Sequence, residues 1–435
     1  MGRKIVFLLL IVVCVAVVTN APGATPQEAQ PAVTIQLEQP VPESKGGVFA
    51  HQVDGKGDRE LVVTSNGHVG VYAMNGKALW VRQVPIKLVS IDAHPPDHHP
   101  SAIAGDMDGD SRQELAFRDV ENKIRIVDAT SGKLEKKLTV PGEPRAIMMA
   151  NLRGEGDRDI ILQYSQTRLA AIRADTGATL WQTDSYRGID HSPARQADLD
   201  ADGRDEVAGT VIIDHDGSRM NDWDLGGVYH AMDSLVIADI VPGPPLEIAM
   251  AEQRGAKSRT DVVNPDRVVF RALNPWDWED PDKLAVGDFV PEREGLEIFN
   301  RSSGGDGTAK RGDEPPYANE EAPWVLDARG ELVSKYYVND HKPDWWTPHG
   351  LEEICRIDWD GDRAHEIVAK ERHRGGAAAV VNPVTGEFKV ILPGDTARIY
   401  AADVMNDFRE EAVLLDKSGT LKVFACQDPA PRERP

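Results

Sequence analysis

A short acidic loop recurs along the chain and constrains its fold more than any other sequence feature. The loop places carboxylates at positions 1, 3, 5 and 9 in the sequences DMDGDSRQE, DLDADGRDE and DWDGDRAHE, which start at residues 106, 198 and 358. Five weaker copies start near residues 52, 151, 239, 288 and 403. Most starts lie about 40 to 55 residues apart, a repeat length that is typical of propeller blades.

Apolar, β-rich segments flank the loops, and turn sequences such as NGK at residue 75 and SGK at residue 131 follow them. Each repeat is therefore predicted to contain about four short strands. Eight repeats predict an all-β fold, an eight-bladed β-propeller of four-stranded blades with calcium-binding loops. An open β-solenoid is the alternative, and the propeller is favoured because a closed ring lets the first and last repeats cover each other.

The three complete loops are candidate Ca²⁺ sites, because Ca²⁺ takes about six to eight oxygen ligands and alternating carboxylates supply them. The expected ligands are Asp106, Asp108, Asp110, Glu114, Asp198, Asp200, Asp202, Glu206, Asp358, Asp360, Asp362 and Glu366. In two weaker copies Lys56 and Arg153 replace a carboxylate, so an internal ion pair is expected there instead of a metal. A bound ion could serve only to hold the turns together.

The two ends of the chain are expected to lie outside the propeller. Arg3 and Lys4 precede an apolar run over residues 5–18 that is shorter than a membrane span, so residues 1–24 are predicted to be a cleaved secretory signal. An N-terminal anchor helix is the alternative. Residues 25–41 are rich in Pro, Gln and Ala and are predicted to form a flexible tether, residues 42–427 a single propeller domain, and residues 428–435 a C-terminal tail.

This organisation predicts a secreted or periplasmic protein with no membrane span in its mature form. In an oxidising compartment Cys355 and Cys426 could form one disulfide. The chain has 49 Lys and Arg against 71 Asp and Glu, a net charge of −22. Such acidity argues against nucleic-acid binding, which needs a basic surface.

The second half of the chain resembles the family 11 rhamnogalacturonan lyases, and the acidic loops resemble those of FG-GAP propellers, the type found in integrin α-chains. The matching segments are DHDGSRMNDWDLGG, PGPPLEIAMAEQ, IDWDGDRAHEIV and ADVMNDFREEAVLLDKSGTLKVFA. The resemblance implies an eight-bladed propeller that carries several Ca²⁺ ions and cleaves a pectin-like polysaccharide by β-elimination.

The chain also departs from the lyase pattern in three places. Of a Gly-His-Gly-Asp element only His230 and Asp233 remain, in shifted form. Glu252 and Gln253 stand where the family tends to place a His-Glu pair, and the segment 394–398 lacks the family's Asn-Gly-Thr-Lys sequence. The resemblance therefore extends to the scaffold more fully than to the catalytic elements.

A uronate lyase removes the C5 proton and expels the C4 oxygen, so it needs a cation beside the sugar carboxylate and a base beside C5. The catalytic candidates are His230, Lys342, Arg372 and His373. The candidates for substrate binding are Trp345, Trp346, His349 and Arg374, since aromatic faces stack on sugars and cations bind carboxylates. Several of these lie in the long insertion 300–350, and a loop of that length is usually functional or disordered.

Two other functions remain open. A non-catalytic propeller that binds glycans or a protein at the cell surface is favoured by the departures from the lyase pattern. A quinone-dependent dehydrogenase is suggested by Trp80 and Trp181, which lie in strands that resemble those of that propeller class. The expected cofactor is Ca²⁺ and the expected partner is a uronate-containing polysaccharide, while no feature of the sequence indicates the oligomeric state.

Overall fold

The computed structural model describes residues 26–41, 45–88, 101–188, 193–223, 225, 232–252, 258–276, 281–302, 321–372 and 376–429. These residues form strands and one 3₁₀ turn, Val338–Asp340. The strands of the first half are β1 (Gln27–Glu28), β2 (Val33–Gln36), β3 (Gly47–His51), β4 (Glu60–Ser65), β5 (His68–Tyr72), β6 (Ala78–Gln83), β7 (Ala102–Gly105), β8 (Glu114–Arg118), β9 (Lys123–Asp128), β10 (Leu134–Thr139), β11 (Ala146–Ala150), β12 (Asp159–Gln163), β13 (Leu169–Arg173), β14 (Thr179–Thr183), β15 (Arg195–Ala197) and β16 (Glu206–Ala208).

The strands of the second half are β17 (Met232–Ala238), β18 (Glu247–Glu252), β19 (Arg259–Val263), β20 (Val268–Leu273), β21 (Pro281–Gly287), β22 (Glu297–Ser302), β23 (Trp324–Leu326), β24 (Leu332–Lys335), β25 (Leu351–Ile357), β26 (Glu366–Glu371), β27 (Ala378–Val381), β28 (Phe388–Leu392), β29 (Thr396–Ala402), β30 (Glu411–Asp416) and β31 (Thr420–Phe424).

The strands form eight sheets, which we number as blades 1 to 8 from the sheet that begins with β3. Blades 1, 2, 3, 5 and 6 each contain four consecutive antiparallel strands, as in β3-β4-β5-β6. Blade 4 contains the two-stranded sheet β15-β16, which isolated bridges at Val207, Ile213 and Arg219 extend. The predicted all-β architecture of eight units is confirmed, although blade 4 has fewer than four paired strands.

Eight apolar cores lie between the sheets, one at each blade interface. The core between blades 1 and 2, for example, packs Val62 and Trp80 against Leu115 and Phe117. In the core between blades 8 and 1, Val413 packs with residues of β3 and β4. Since every blade shares a core with both neighbours and β29 contacts β3, the blades form a closed ring.

The N-terminal strands close the ring, so the prediction of a flexible tether over residues 25–41 is wrong. Strand β2 pairs antiparallel with β31 and becomes the outer strand of blade 8, where Ile35 lies opposite Leu421 and is buried. Strand β1 pairs parallel with β28 at the edge of blade 7. The Pro-rich surroundings concealed a four-residue strand whose pairing partner lies 384 residues away in the sequence.

Two further predictions concern a disulfide bond and a membrane-spanning segment. Cys355 and Cys426 both contribute to the core between blades 7 and 8, but no disulfide joins them. None of the helical structure in the described part of the chain has the length and apolar character that crossing a membrane requires. The predicted signal sequence lies outside the described residues.

Candidate functional site

The complete acidic loops join the first and second strands of blades 2, 4 and 7, so they all lie on one face of the ring. The fourth residue of each loop adopts a left-handed backbone, with φ of 84° at Gly109, 65° at Ala201 and 74° at Gly361. Asp106 Oδ1 accepts a hydrogen bond of 2.6 Å from the backbone N–H of Gly109. The first aspartate therefore fixes the tight turn that gathers the remaining carboxylates.

A buried glutamate closes each loop at the start of the second strand. One oxygen of Glu114 accepts a hydrogen bond of 2.8 Å from Met107 N–H, and Glu206 accepts an equivalent bond of 2.8 Å from Leu199 N–H. Burial raises the pKa of Glu114 to about 7 and that of Glu206 to about 8, and neighbouring aspartates act in the same direction. Burial and mutual repulsion make it costly to hold several ionised carboxylates together. A cation bound in the loop would offset that cost.

Two of the loops bring together donors that could hold one cation. In blade 2 Asp106, Asp108 and Glu114 each place an oxygen within 4.8 Å of the others, and in blade 4 Asp198, Asp200 and Glu206 do the same. Asp198 Oδ1 and Glu206 Oε1 are buried and accept no hydrogen bond. Because a buried carboxylate oxygen without a donor is costly, these atoms fit a hard cation such as Ca²⁺.

The blade 7 loop differs, because a lysine supplies the positive charge. Lys389 Nζ contacts Glu366 Oε1 and lies 3.6 Å from Asp360 Oδ2. Among the described residues the acids of this loop do not form a cation-sized group like those of blades 2 and 4. The geometry therefore does not favour a metal at Asp358, Asp360, Asp362 and Glu366.

The two weaker loops that carry a basic residue behave differently from each other. In blade 3 Arg153 Nε donates to Asp159 Oδ1 at 2.9 Å, which confirms the internal ion pair predicted there. In blade 1 the side chain of Lys56 has no carboxylate within ion-pair distance in the part of the chain that the structure describes. Of these two loops, only the blade 3 loop therefore compensates the loss of a carboxylate by an internal ion pair.

A buried group of charged residues lies on the opposite face of the ring. On that face the first strand of each blade begins and the second strand ends. We call Asp282, Lys283, Arg301, Glu321 and Arg372 the cationic cluster. Arg301 Nη2 contacts Asp282 Oδ2, Arg372 Nη2 lies 3.8 Å from the same oxygen, and Lys283 Nζ lies 3.7 Å from Asp282 Oδ1. Three cations from blades 6 and 7 thus surround one carboxylate.

Glu321 is the second acid of the cationic cluster and is fully buried. Its Oε2 accepts a hydrogen bond of 2.6 Å from Leu351 N–H. Burial raises its pKa to about 7, although Arg301 and Arg372 act in the opposite direction. Near neutral pH this carboxyl is only partly ionised, so the cluster carries a net positive charge inside a strongly acidic protein.

The structure describes five of the eight predicted catalytic and substrate-binding residues. Arg372 belongs to the cationic cluster, and its backbone N–H donates to Gly350 O at 3.2 Å. Lys342, Trp345, Trp346 and His349 lie on the connection from β24 to β25, which ends at Gly350 on the same face. His230, His373 and Arg374 lie outside the described residues.

The two adjacent tryptophans have different environments. Trp345 is 52% exposed. Trp346 is 1% exposed, donates from Nε1 to Gly350 O at 3.0 Å and packs edge-on against Phe388 with ring centroids 5.1 Å apart. Trp346 therefore fills the core between blades 6 and 7, and Trp345 alone of the pair presents a surface on which a sugar could stack.

Four members of the cationic cluster were not predicted from the sequence. Asp282 and Lys283 lie at the start of β21, and Arg301 lies near the end of β22. The sequence signal is the polar run at 300–302, which ends a strand that is otherwise apolar. The run can be assigned to the cationic cluster only when the blade topology shows which strand ends lie side by side.

Comparison with known proteins gives low but broad similarity to rhamnogalacturonan lyases. No family model matches the chain. In sequence it is 22% identical over 304 residues to rhamnogalacturonan exolyase YesX of Bacillus subtilis strain 168. The match covers 65% of this chain and 44% of that protein, so the chain spans less than half the length of this curated relative.

Solved structures show the same fold. The rhamnogalacturonan lyase YesW superimposes with a TM-score of 0.58 at 17% identity, over 95% of this chain and 78% of that one. BamB from Moraxella catarrhalis gives a TM-score of 0.55 at 13% identity, over 92% of this chain and 100% of that one. The predicted similarity to rhamnogalacturonan lyases is confirmed in sequence and fold, and the FG-GAP assignment stays a prediction.

Proposed function

We propose that the protein is an extracytoplasmic polysaccharide lyase that cleaves a uronate-containing, pectin-like polymer by β-elimination. The observation that carries the proposal is the cationic cluster, in which Lys283, Arg301 and Arg372 lie around the carboxylate of Asp282. The similarity to rhamnogalacturonan lyases supports the choice of reaction and of polymer.

The cluster suits the chemistry because β-elimination develops negative charge on the sugar carboxylate as the C5 proton leaves. Buried cations stabilise such charge more strongly than exposed ones, since little water screens them. Arg372 is bound by its Nη1 to Ser302 O at 3.2 Å, which holds the guanidinium in a fixed orientation. We assign to Arg372 and Arg301 the neutralisation of the uronate carboxylate.

Trp345 supplies the second element of the proposed site. Its exposed ring lies on the same connection as Lys342, between blades 6 and 7. Aromatic rings at exposed positions bind the apolar faces of sugars. We assign Trp345 to polymer binding, and we retain Lys342, His230 and His373 as the candidate bases.

Ca²⁺ enters the proposal as an ion of the acidic loops on the other face. Asp106, Asp108 and Glu114 in blade 2 would hold it, as would Asp198, Asp200 and Glu206 in blade 4. When bound, the ion would neutralise the clustered carboxylates and stiffen the turns. Its proposed role is structural, because both loops lie on the face opposite the cationic cluster.

A non-catalytic polysaccharide-binding propeller is the second candidate. It is favoured by the position of Lys342, whose Nζ donates to Trp346 O at 3.0 Å and is thus engaged in holding its own loop. A base must reach the C5 proton, so this lysine would first have to leave that carbonyl. The binding function needs Trp345 and the cations but no base.

The test is ultraviolet absorbance at the band of unsaturated uronates, with the mature protein mixed with rhamnogalacturonan. We expect a steady rise for wild type and a rise at least about 100-fold slower for Arg372→Ala, as is typical when a charge-stabilising group is lost. Arg329→Ala, which removes an exposed arginine on the opposite face, is the matched control and should match wild type. A flat trace from folded wild type that still binds the polymer would support the non-catalytic candidate.

A further inference from the structure

Backbone hydrogen bonds join the acidic loops of neighbouring blades around most of the ring. The donor is the N–H of the residue that precedes the closing acid of a loop, and the acceptor is the carbonyl of the first or second loop residue of the preceding blade. Six of the eight junctions have such a bond, with lengths of 2.8 to 3.0 Å, which keeps the two loops close together. The donors are Arg59, Asp205, Leu246, Leu296, His365 and Glu410.

Blade 2 is not joined in this way to either neighbour within the described residues. Gln113, which precedes the closing Glu114, makes no backbone bond to the loop of blade 1. Its side-chain Oε1 instead lies 2.7 Å from His51 Nε2. At the next junction, Arg158 N–H donates to Gly156 O within its own loop at 2.7 Å. The loops of blades 1 and 2 therefore lack the bond that closes six other junctions.

A pocket of about 740 Å³ lies at the junction between blades 1 and 2, on the face that carries the acidic loops. Its volume is within the range of about 300 to 1,000 Å³ that is typical of small-molecule sites. The lining includes Lys56 and Arg59 from blade 1 and Arg112 and Gln113 from blade 2. No Trp, Tyr or Phe is among the described residues that line it. A ligand would therefore be held by charge and hydrogen bonds rather than by stacking.

Two cations of this junction pocket have no partner among the described residues. Neither the exposed side chain of Lys56 nor the half-buried side chain of Arg59 makes a hydrogen bond or an ion pair there. Burial lowers the pKa of His51 and the positive charge of Arg59 lowers it further, so Arg59 acts on the wall of the pocket. In a chain with 71 acids against 49 basic residues, two such cations in one pocket indicate a site for an anion.

The other charged groups of the junction pocket already have partners. Arg112 Nε donates to Asp110 Oδ2 at 2.8 Å. Asp128 Oδ1 accepts hydrogen bonds of 2.6 to 2.8 Å from the hydroxyls and N–H of the turn that follows it. Asp54 Oδ1 accepts a hydrogen bond of 2.9 Å from the backbone N–H of Lys56. These contacts leave the side-chain charges of blade 1 available to a ligand.

We propose that the junction pocket binds an acidic sugar, with the sugar carboxylate beside Lys56 and Arg59. Charge-assisted hydrogen bonds to a carboxylate are the strong polar contacts that these two side chains can make. The sugar hydroxyls are assigned to His51, Gln52 and Gln113, whose side chains can donate to or accept from a hydroxyl. The choice of a uronate rests on the proposed function. Because the pocket lies on the face opposite the cationic cluster, it is a second site for the same class of polymer.

An occupied junction pocket would connect two loops that no backbone bond joins. A ligand that contacts both loops stabilises the state in which they are ordered, so local opening becomes rarer. We therefore expect slower hydrogen exchange at residues 54–59 of blade 1 and at Gln113 of blade 2 when the ligand is bound. The loop of blade 3, which does not line the pocket, should exchange at an unchanged rate.

The test is calorimetric titration with a disaccharide of rhamnose and galacturonate. The full mature protein carries Arg372→Ala, which removes a cation of the cationic cluster, and we expect one equivalent to bind. Lys56→Gln and Arg59→Gln should each weaken this binding by about 10-fold or more, as is typical when a hydrogen bond to a charged group is lost. Lys56→Arg should keep the affinity. Lys77→Gln makes the same change at an exposed lysine of blade 1 outside the pocket and should also keep it.

Unchanged affinity in both Lys56→Gln and Arg59→Gln would overturn the proposal. An equal loss in Lys77→Gln would also overturn it, because the attraction would then come from the charge of the blade in general. A neutral disaccharide that binds as tightly would exclude recognition of the carboxylate, and citrate that binds as tightly would exclude recognition of the sugar.

Polymer cleavage is measured separately, by the absorbance of unsaturated uronates with wild type. A flat trace there, together with disaccharide binding that depends on Lys56, would refute the proposed lyase and leave the junction pocket standing. Cleavage by wild type without binding in the junction pocket would refute this inference alone.

Discussion

Replacing Lys389 by methionine tests whether a lysine in blade 7 substitutes for the ion proposed in other loops. The change keeps the apolar stem of the side chain and removes the charge that contacts Glu366 and lies 3.6 Å from Asp360. Removing one partner of a buried ion pair costs about 3 to 5 kcal/mol. The lysine is partly exposed, so we expect the lower end, about 3 kcal/mol.

The loss of unfolding free energy in Lys389→Met should depend on pH and on the calcium concentration. The pKa of Glu366 is raised to about 7 by burial, so this carboxyl can take up a proton below neutrality. Lys389 itself lowers this pKa, so the pKa of Glu366 rises further in the variant, and the cost of the unpaired charge is larger at pH 8 than at pH 6. If the variant loop binds Ca²⁺, a concentration 100 times the Kd restores about 2.7 kcal/mol.

The assay is urea unfolding of Lys389→Met and wild type at pH 6 and pH 8, with Ca²⁺ and with chelator. Arg329→Ala serves as the control, because its pair with Glu294 is exposed and should contribute little. We expect calcium to stabilise Lys389→Met more than wild type. A full loss of stability with no additional response to calcium would refute the idea that the lysine replaces an ion.

Other predictions concern the cationic cluster, the tryptophans and the closing strand. Because burial raises the pKa of Glu321 from 4.5 to about 7, its favourable contribution is present below pH 4.5 and is lost as the pH rises through 7. Glu321→Gln should therefore reduce the drop in unfolding free energy that wild type shows between pH 5 and pH 8 by up to about 3 kcal/mol, as measured by urea titration. Trp345→Ala should weaken polymer binding in affinity electrophoresis without lowering stability, whereas Trp346→Ala should cost about 3 to 5 kcal/mol because it empties a core position. Ile35→Ala in β2 should cost about 2 to 5 kcal/mol and increase hydrogen exchange in β31, its partner, more than in blade 3.

The architecture was largely predictable because its signals are local. Each acidic loop fixes a turn between two strands, and residues such as Gly109 and Gly361 supply the left-handed position that the turn requires. Eight copies of such a loop leave few folds available. Strand β2 was missed because its partner β31 lies at the other end of the chain, so no local pattern reveals that the ring closes there.

The site was less predictable because its residues meet only through the topology. Asp282 and Arg372 lie 90 positions apart in the sequence, and strand ends on neighbouring blades bring them together. Trp346 shows the opposite difficulty: its place in a long insertion made it a candidate for substrate binding, yet its ring fills the core between blades 6 and 7. Lys389 lies on β28, and nothing in the loop sequence of blade 7 indicates that a distant lysine contacts it.

The most direct test of the central claim is mass spectrometry of the fragments that the mature protein releases from rhamnogalacturonan. β-Elimination leaves a double bond in the terminal uronate and adds no water, whereas hydrolysis adds one water molecule to each cleaved bond. The account predicts fragments with unsaturated uronate ends from wild type and almost none from Arg372→Ala. Saturated fragments, or no fragments from folded protein that binds the polymer, would contradict it.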